Sequence, residues 1–367
     1  MSTIPAVEPS PAVPVAAAGP PSHAARQAPP TQLTGRLRQG TVLLRSAESQ
    51  VQVGLDPRWA VRLDGVRQHE LAWLQRVALG TRTAERAALE LGVTPERAAH
   101  VWAALRDGGL VVDDHPADVD GSRSADLRSL CQLREDGQGQ AVLTARALRH
   151  VGVSGLGRLG LAIATALATA GVGRIVLDDL GVVQSTDVGL GGYDAQDVGT
   201  PRVRAAERHV TRTSQATCST TVDRPLDALV VVDQWATDAA RHARATGDGV
   251  PVLSALVGEA GVTVGPLAVP GRTACLRCIE LAHQDADPGW PAVAAQLRER
   301  GRLEATTETT TCATAAGIAA AQVLVLLDGG LPSTASRVVE VLAPEAVPRT
   351  TDVAPHPACG CGAITGR

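Results

Sequence analysis

The sequence predicts an α/β protein in two parts, a small winged-helix unit in front and a larger domain of alternating buried strands and helices closed by a four-cysteine knot. Three observations carry that prediction. Two cysteine pairs stand far apart, Cys275-Leu276-Arg277-Cys278 and Cys359-Gly360-Cys361. A glycine loop, Gly155-Leu156-Gly157-Arg158-Leu159-Gly160, separates an apolar run of strand character from one of helical character. Residues 36–113 read as short strands followed by three helices.

Each cysteine pair is spaced so that a tight turn aims both sulfurs inward, and the glycines around Cys359 and Cys361 permit the positive φ such turns need. Four thiolates leave no ligand position for water or substrate, so a Zn2+ held here would be structural. Two disulfides or free thiols are the alternatives. A disulfide within a Cys-x-Cys pair is strained, and nothing in the chain points to export.

The formal net charge of −4 over 367 residues is small and spread along the chain, which argues against a nucleic-acid partner. Residues 1–35, rich in Pro and Ala, are expected to be a disordered tail, without the basic start and unbroken apolar run of a secretory signal. No stretch reads as long and apolar enough to span a bilayer, so no membrane association and a cytoplasmic location are expected. The chain contains no phenylalanine and no lysine: every strong cation is an arginine, and Trp, Leu and Val must fill the cores.

Within residues 36–113, strands are expected at 41–45, 50–54 and 58–63, separated by turn residues such as Asp56-Pro57. The first helix carries Leu71, Leu74 and Val77 on one stripe, and the second carries Ala84, Ala87, Ala88 and Leu91. The third opens at Thr94-Pro95-Glu96, an N-cap, a proline at the first helical position and an early acid, and presents Val101, Trp102 and Leu105 before Gly108-Gly109 ends it. A strand at 110–112 pairs back. Residues 114–126, with Pro, Asp, Gly and Ser, form a linker.

Residues 127–367 make the larger domain. Residues 150–154 read as a buried strand, 161–169 as a helix and 174–177 as a strand ending at Asp178-Asp179. An acidic pair about twenty residues beyond a glycine loop is the context of a dinucleotide-type βαβ unit. Further strands are expected at 228–232, 250–253 and 338–342, with a strand or hairpin at 262–269. The threonines of 306–311 read as a polar loop ahead of an apolar helix over 313–327, whose Ala316, Ala320, Val323, Leu324 and Leu327 face the core. Cys312 reads as a buried thiol, Cys131 and Cys218 have no partner motif, and His283 and His356 lie near the cysteine pairs.

The succession of glycine loop, acidic strand end, Val183-Gln184-Ser185, Asp197-Val198-Gly199, a strand ending at Asp233, and the run from Pro270 to Cys278 resembles the E1-like adenylyltransferases of the ThiF and MoeB type, over residues 127–362. The resemblance implies a Rossmann-like domain, a homodimer, zinc on Cys275, Cys278, Cys359 and Cys361, and ATP on Gly155, Gly157, Gly160 and Asp178. It implies catalysis by Arg202, where the family has a Lys, and by Asp233, where it has an Mg-associated acid. The family pattern after the second strand, Asp-x-Asp-x-Val-x-x-Ser-Asn-Leu-x-Arg-Gln, is broken here: Leu180, Thr186 and Gly189 stand at its second Asp, its Asn and its Arg. Adenylation needs cations against the polyphosphate, and an arginine does not replace a lysine as a point charge. Arg158, where a glycine is usual, crowds the phosphate approach. The pocket is therefore expected to be vestigial.

A narrower resemblance joins the winged-helix front, Gly157-Arg158-Leu159-Gly160, the segment Asp287-Pro288-Gly289-Trp290-Pro291 and the run from His356 to Cys361. These look like the E1-like leader-peptide-binding proteins of azole- and azoline-forming (TOMM) ribosomal peptide clusters. That group carries a PqqD-like front domain and leaves cyclodehydration to a YcaO-type partner. The implied role is a scaffold that captures a precursor leader, added as a strand between the third strand and third helix and lined by Trp59, Val61, Leu63, Val101, Trp102 and Leu105. The same side chains filling a small core is the alternative. Arg58, Arg62, Arg97 and Arg106 are candidates for pairing with leader acids. The alternative functions are an active ThiF/MoeB-type adenylyltransferase and, from the glycine loop alone, an oxidoreductase.

Overall fold

The computed structural model describes residues 33–38, 40–47, 49–80, 82–113, 123–134, 136–300, 305–335 and 337–363. Residues 1–32 of the expected tail and 114–122 of the expected linker lie outside them. The chain folds as two compact units, Met1–Val142 and Leu143–Arg367.

The first unit runs β1 (Arg36–Leu37), β2 (Leu43–Ala47), β3 (Gln50–Val53), β4 (Val61–Leu63), α1 (Gln68–Ala78), α2 (Ala84–Glu90), α3 (Pro95–Asp107), β5 (Val111–Val112) and α4 (Ser124–Leu133). Strands β2, β3 and β4 form an antiparallel sheet in that order, which leaves β4 at its edge, and β1 pairs with β5. The helix starts follow from local chemistry. Thr83 Oγ1 accepts the Arg86 N–H at 3.3 Å, and Thr94 Oγ1 accepts that of Arg97 at 3.4 Å, with Pro95 in the first turn.

Tryptophans do the work of the missing phenylalanines in this core. Trp73 and Trp102 are buried with ring centroids 6.2 Å apart, and their indole N–H groups donate to the Ala84 and Thr34 carbonyls at 2.9 and 2.8 Å. The predicted groove meets this packing. Val61, Leu63, Val101, Trp102 and Leu105 are between 0 and 6 % exposed and belong to the core, because β4 and α3 are the two layers that must bury each other's apolar faces. Of the six side chains expected to line a groove, Trp59 alone is more than marginally exposed, its ring flanked by the Arg38 and Arg58 guanidinium groups at 4.3 and 4.2 Å.

Helix α5 (Gly139–Arg146) crosses the division between the units. The second unit continues with β6 (His150–Ser154), α6 (Arg158–Thr169), β7 (Arg174–Asp178), α7 (Arg202–Thr213), β8 (Thr217–Ser219), β9 (Ala228–Gln234), α8 (Ala239–Gly247), β10 (Val252–Val257), β11 (Gly261–Ala268), α9 (Leu276–Ala286), α10 (Trp290–Arg300), α11 (Thr309–Leu327), β12 (Arg337–Leu342) and β13 (Pro348–Asp352). Its eight-stranded sheet has the order β13-β12-β11-β10-β9-β6-β7-β8. Strands β10, β9, β6, β7 and β8 are parallel, and β11, β12 and β13 extend the sheet antiparallel. This is a Rossmann-like sheet with an antiparallel extension. Strand β6 sits in the parallel half and is buried throughout, which is why residues 150–154 carry no alternation.

Helix α11 packs against α6 and β11. It begins four residues earlier than its apolar pattern suggests, because Glu308 caps it by accepting the Thr310 and Thr311 N–H groups at 3.1 and 3.2 Å. Thr309, Thr310 and Thr311 are thus helical rather than part of a polar loop. Thr309–Leu327 is also long and apolar enough to cross a bilayer, contrary to the expectation that no stretch is. Its apolarity has a local cause: Ala315, Ala316, Ala319, Ala320 and Val323 are buried in the main core.

Candidate functional site

The glycine loop joins β6 to α6, and the N-cap of α6 is Gly157, which has no side chain to satisfy the first-turn N–H groups. A helix start of this kind is an anion site, and in a nucleotide-binding fold a phosphate lies there. Here a carboxylate of the chain itself takes the position. Asp187 Oδ1 accepts the Arg158 backbone N–H at 3.0 Å, and Asp179 Oδ2 accepts the Leu156 N–H at 2.6 Å. Asp187 Oδ2 in turn receives Arg202 Nε and Nη2 at 3.0 and 2.8 Å and the Gln184 N–H at 2.9 Å. Both Asp187 and Arg202 are buried.

The space that remains is small. A cavity of about 60 Å³ is bounded by Gly155, Gly157, Arg158, Asp187, Arg202 and Thr307 among others, whereas sites for drug-sized ligands take roughly 300–1,000 Å³. Its charges balance, with Arg158 and Arg202 against Asp179 and Asp187. Arg158 corrects part of the sequence reading. Its Nη2 donates to Thr309 Oγ1 at 2.9 Å, and a β-carbon on Gly189 would stand 3.1 Å from its Cζ, so a guanidinium rooted in the glycine loop lies where a side chain at 189 would begin. The cleft is therefore not stripped of cations; it holds two, one of them committed to Asp187.

The other site candidates separate. Gly160 does not line the cleft: a side chain there would collide with the Gly155 carbonyl, so this glycine serves close packing of α6 against the loop. Asp178 accepts Ser154 Oγ at 2.7 Å, outside the lining. Asp233 alternates along β9 with Val232 and Gln234, which do line the cleft, and so points to the other face, where it is buried against Arg241 Nη1 at 2.8 Å and His242 Nε2 at 3.1 Å. Arg202 and Asp233 are thus not brought together. Sequence reasoning missed Asp179 and Asp187. The first was visible as the second acid of its pair, and the second as an acid where the family pattern has Leu.

The cysteine pairs do meet. Cys275 and Cys278 open α9, Cys359 and Cys361 come from the turn after β13, and all four sulfurs lie within 4.8 Å of one another. Separations of 3.9, 3.6 and 3.5 Å for Cys275–Cys278, Cys275–Cys359 and Cys278–Cys361 fit the edge of about 3.8 Å set by a tetrahedral ion with metal–sulfur bonds of about 2.3 Å. They are too long for disulfides. His356 braces the knot: its carbonyl accepts the Cys359 N–H at 2.9 Å and its Nε2 meets Asp285 at 2.9 Å. His283 packs edge-on against Trp290 instead. Cys312 is buried, its thiol pushed up to about 11 by that burial, and it is inert packing rather than a nucleophile.

No curated protein matches the sequence. Among solved structures, E. coli MccB with ATP is similar at 19% identity and a TM-score of 0.62, covering 89% of this chain and 99% of that one. MccB in complex with N-formylated MccA, described as a microcin C7 biosynthetic enzyme, matches at 18% identity and 0.62 over the same shares. PaaA matches at 18% identity and 0.56, covering 75% of this chain and 97% of that one. These likenesses establish the fold. The ThiF family profile matches residues 131–362, most of the chain and all of the sheet, the glycine loop and the cysteine cluster, and the protein belongs to the ThiF family.

Proposed function

We propose that this protein is a non-catalytic E1-like scaffold of a ribosomal peptide pathway of the thiazole/oxazole type. Its first unit, read as a PqqD-like winged helix, holds the leader of a precursor peptide and presents the core peptide to a separate YcaO-type cyclodehydratase. The zinc on the four cysteines is structural, and the scaffold works as a homodimer. The observation that carries the non-catalytic reading is the Asp187 carboxylate at the start of α6, tied to Arg202. An anion already bound at the helix dipole repels a polyphosphate, and the paired arginine is not available to neutralise one.

Support for a peptide ligand comes from two sides. Solved MccB structures of the same fold contain the peptide MccA. Strand β4 stands at a sheet edge, the position to which an unfolded leader adds most cheaply. With the β4–α3 interface filled, the accessible markers of that edge are the half-buried Arg62 and the nearby, half-buried Trp59.

The test is binding of a labelled leader, from the precursor encoded beside the gene, to the full chain and to a chain lacking residues 36–113. Affinity lost on deletion supports the scaffold, and unchanged affinity overturns it. The second reading, an ATP-dependent adenylyltransferase acting on a peptide or protein C-terminus, is favoured by the Arg158 guanidinium beside Gly189. Pyrophosphate exchange dependent on that peptide and lost in Arg158→Ala would establish it in place of the first.

A further inference from the structure

A cavity much larger than the one at the glycine loop lies elsewhere. It occupies about 590 Å³ in the second unit, between the face of β10–β13 and helices α9 and α10, and belongs to no part of the nucleotide cleft. The sheet forms the floor, where Ser254, Thr263, Glu340 and Thr351 from four adjacent strands stand beside the apolar Leu256 and Val338. The helices form the roof, where the apolar Ile279, Trp290 and Ala294 stand beside the polar Glu280, His283 and Arg298.

Two floor groups await a partner. Ser254 is 1 % exposed and its Oγ makes no hydrogen bond among the described residues; a buried hydroxyl left so is costly and unusual. Glu340 makes neither an ion pair nor a hydrogen bond among them. The other acids of the lining are engaged: Glu280 lies 3.6 Å from Arg277 and 3.9 Å from Arg298, and Asp352 lies 2.7 Å from Arg337. Arg349, opposite Glu340 in the β12–β13 ladder, is exposed and does not line the cavity. Trp235, at the rim, holds φ at 65°, a conformation a bulky residue adopts only when its surroundings impose it.

We infer that this cavity is a second peptide-binding site, for a short extended segment bearing one basic side chain between apolar neighbours. An extended backbone sends alternate side chains to opposite walls. The basic group descends to the Glu340 carboxylate, the flanking apolar residues meet Ile279, Trp290 and Ala294, and Ser254 and the threonines receive polar backbone groups. The floor's unengaged charge selects a cation, and the volume suits three to four residues rather than a folded domain. This site stands independently of leader capture by the first unit.

The test uses the full-length, metal-loaded chain and two blocked tripeptides, acetyl-leucyl-arginyl-leucine amide and its citrulline isostere, which keeps the shape and removes the charge. Trp290 and Trp235 line the cavity, so tryptophan emission reports occupancy, with calorimetry for affinity. The arginine peptide is expected to bind about tenfold tighter than the citrulline peptide, the range of one charge-assisted contact. Glu340→Gln removes that difference while leaving the citrulline peptide's affinity unchanged, and Ala294→Trp, which fills the roof, abolishes binding of both. Equal affinity of the two peptides for the unaltered chain, no binding of either, or a difference that survives Glu340→Gln overturns the assignment.

Discussion

Asp187 Oδ1 accepts the backbone N–H of Arg158 at 3.0 Å, placing a carboxylate of the chain at the start of the helix that follows the glycine loop. The pair makes a direct prediction. Asp187→Ala removes the anion and takes from the buried Arg202 guanidinium its two hydrogen bonds at 3.0 and 2.8 Å, with Asp179 3.8 Å away. The variant is expected to lose about 3 kcal/mol of stability in urea titrations. It is also expected to gain what the unaltered chain lacks, a rise in melting temperature with added inorganic pyrophosphate. A rise already present in the unaltered chain would show that Asp187 does not exclude phosphate.

Most of the second unit was legible because its signals are local. The buried strand at 150–154, the glycine loop and the acidic pair lie within thirty residues of one another and need no tertiary knowledge. The cysteine cluster was legible for the opposite reason: thiol pairs so far apart in sequence have few ways to be satisfied except together. Three things were hidden. Strand β13, Pro348–Asp352, has every residue exposed and no apolar alternation to reveal it. Asp187 became an N-terminal partner of α6 through a contact 29 residues away, which no periodicity encodes. The β4–α3 residues were correctly seen as one apolar set, but the sequence pattern of a core and that of a groove are the same, and only the burial of Leu63 and Leu105 decides between them.

The sulfur cluster predicts a folding dependence on metal. Removal of the ion by a chelator, or Cys275→Ser or Cys361→Ser, leaves three or four crowded thiols joining α9 to the chain end, with nothing to offset their desolvation. The second unit is expected to melt at least about 10 °C lower, with one metal equivalent released per chain on elemental analysis. A Cys361→Ser protein that retains a full equivalent and its melting temperature would contradict a four-thiolate site.

Glu70 ties acid stability of the first unit to one ion pair. Burial opposes its charge, yet two hydrogen bonds from Arg97, at 2.9 and 3.1 Å, together with the Arg67 N–H at 2.9 Å, outweigh it and hold the carboxyl below its usual 4.5. A carboxyl depressed in the folded state adds stability that is fully present above its unfolded value and disappears as pH falls through its folded one. The first unit is therefore expected to lose stability below about pH 4.5, and Glu70→Gln to cost about 1–3 kcal/mol at pH 7 while flattening that acid limb. Urea titrations of the two proteins between pH 3 and 7 make the comparison; parallel curves would remove Glu70 as the cause.

Substitutions at Trp59 and Trp102 test whether the proposed leader recognition and the packing of the first unit rest on different residues. Trp102 is 2 % exposed and its Nε1 donates to the Thr34 carbonyl at 2.8 Å, so Trp102→Ala opens a cavity and leaves that carbonyl with Arg106 Nη2 as donor. It is expected to destabilise the unit by about 3–5 kcal/mol. Trp59 is half-buried between two guanidinium groups, and the cost of Trp59→Ala is expected to stay near about 1 kcal/mol, the scale of exposed cation–π contacts. If the leader adds at the β4 edge, that same substitution lowers leader affinity by about tenfold or more, since an indole at an interface edge supplies both area and orientation. Trp102→Ala, measured where it is still folded, would then weaken leader binding less than Trp59→Ala does. The reverse ranking would mean that the leader enters between β4 and α3 after all, prising apart a core that is closed in the free protein.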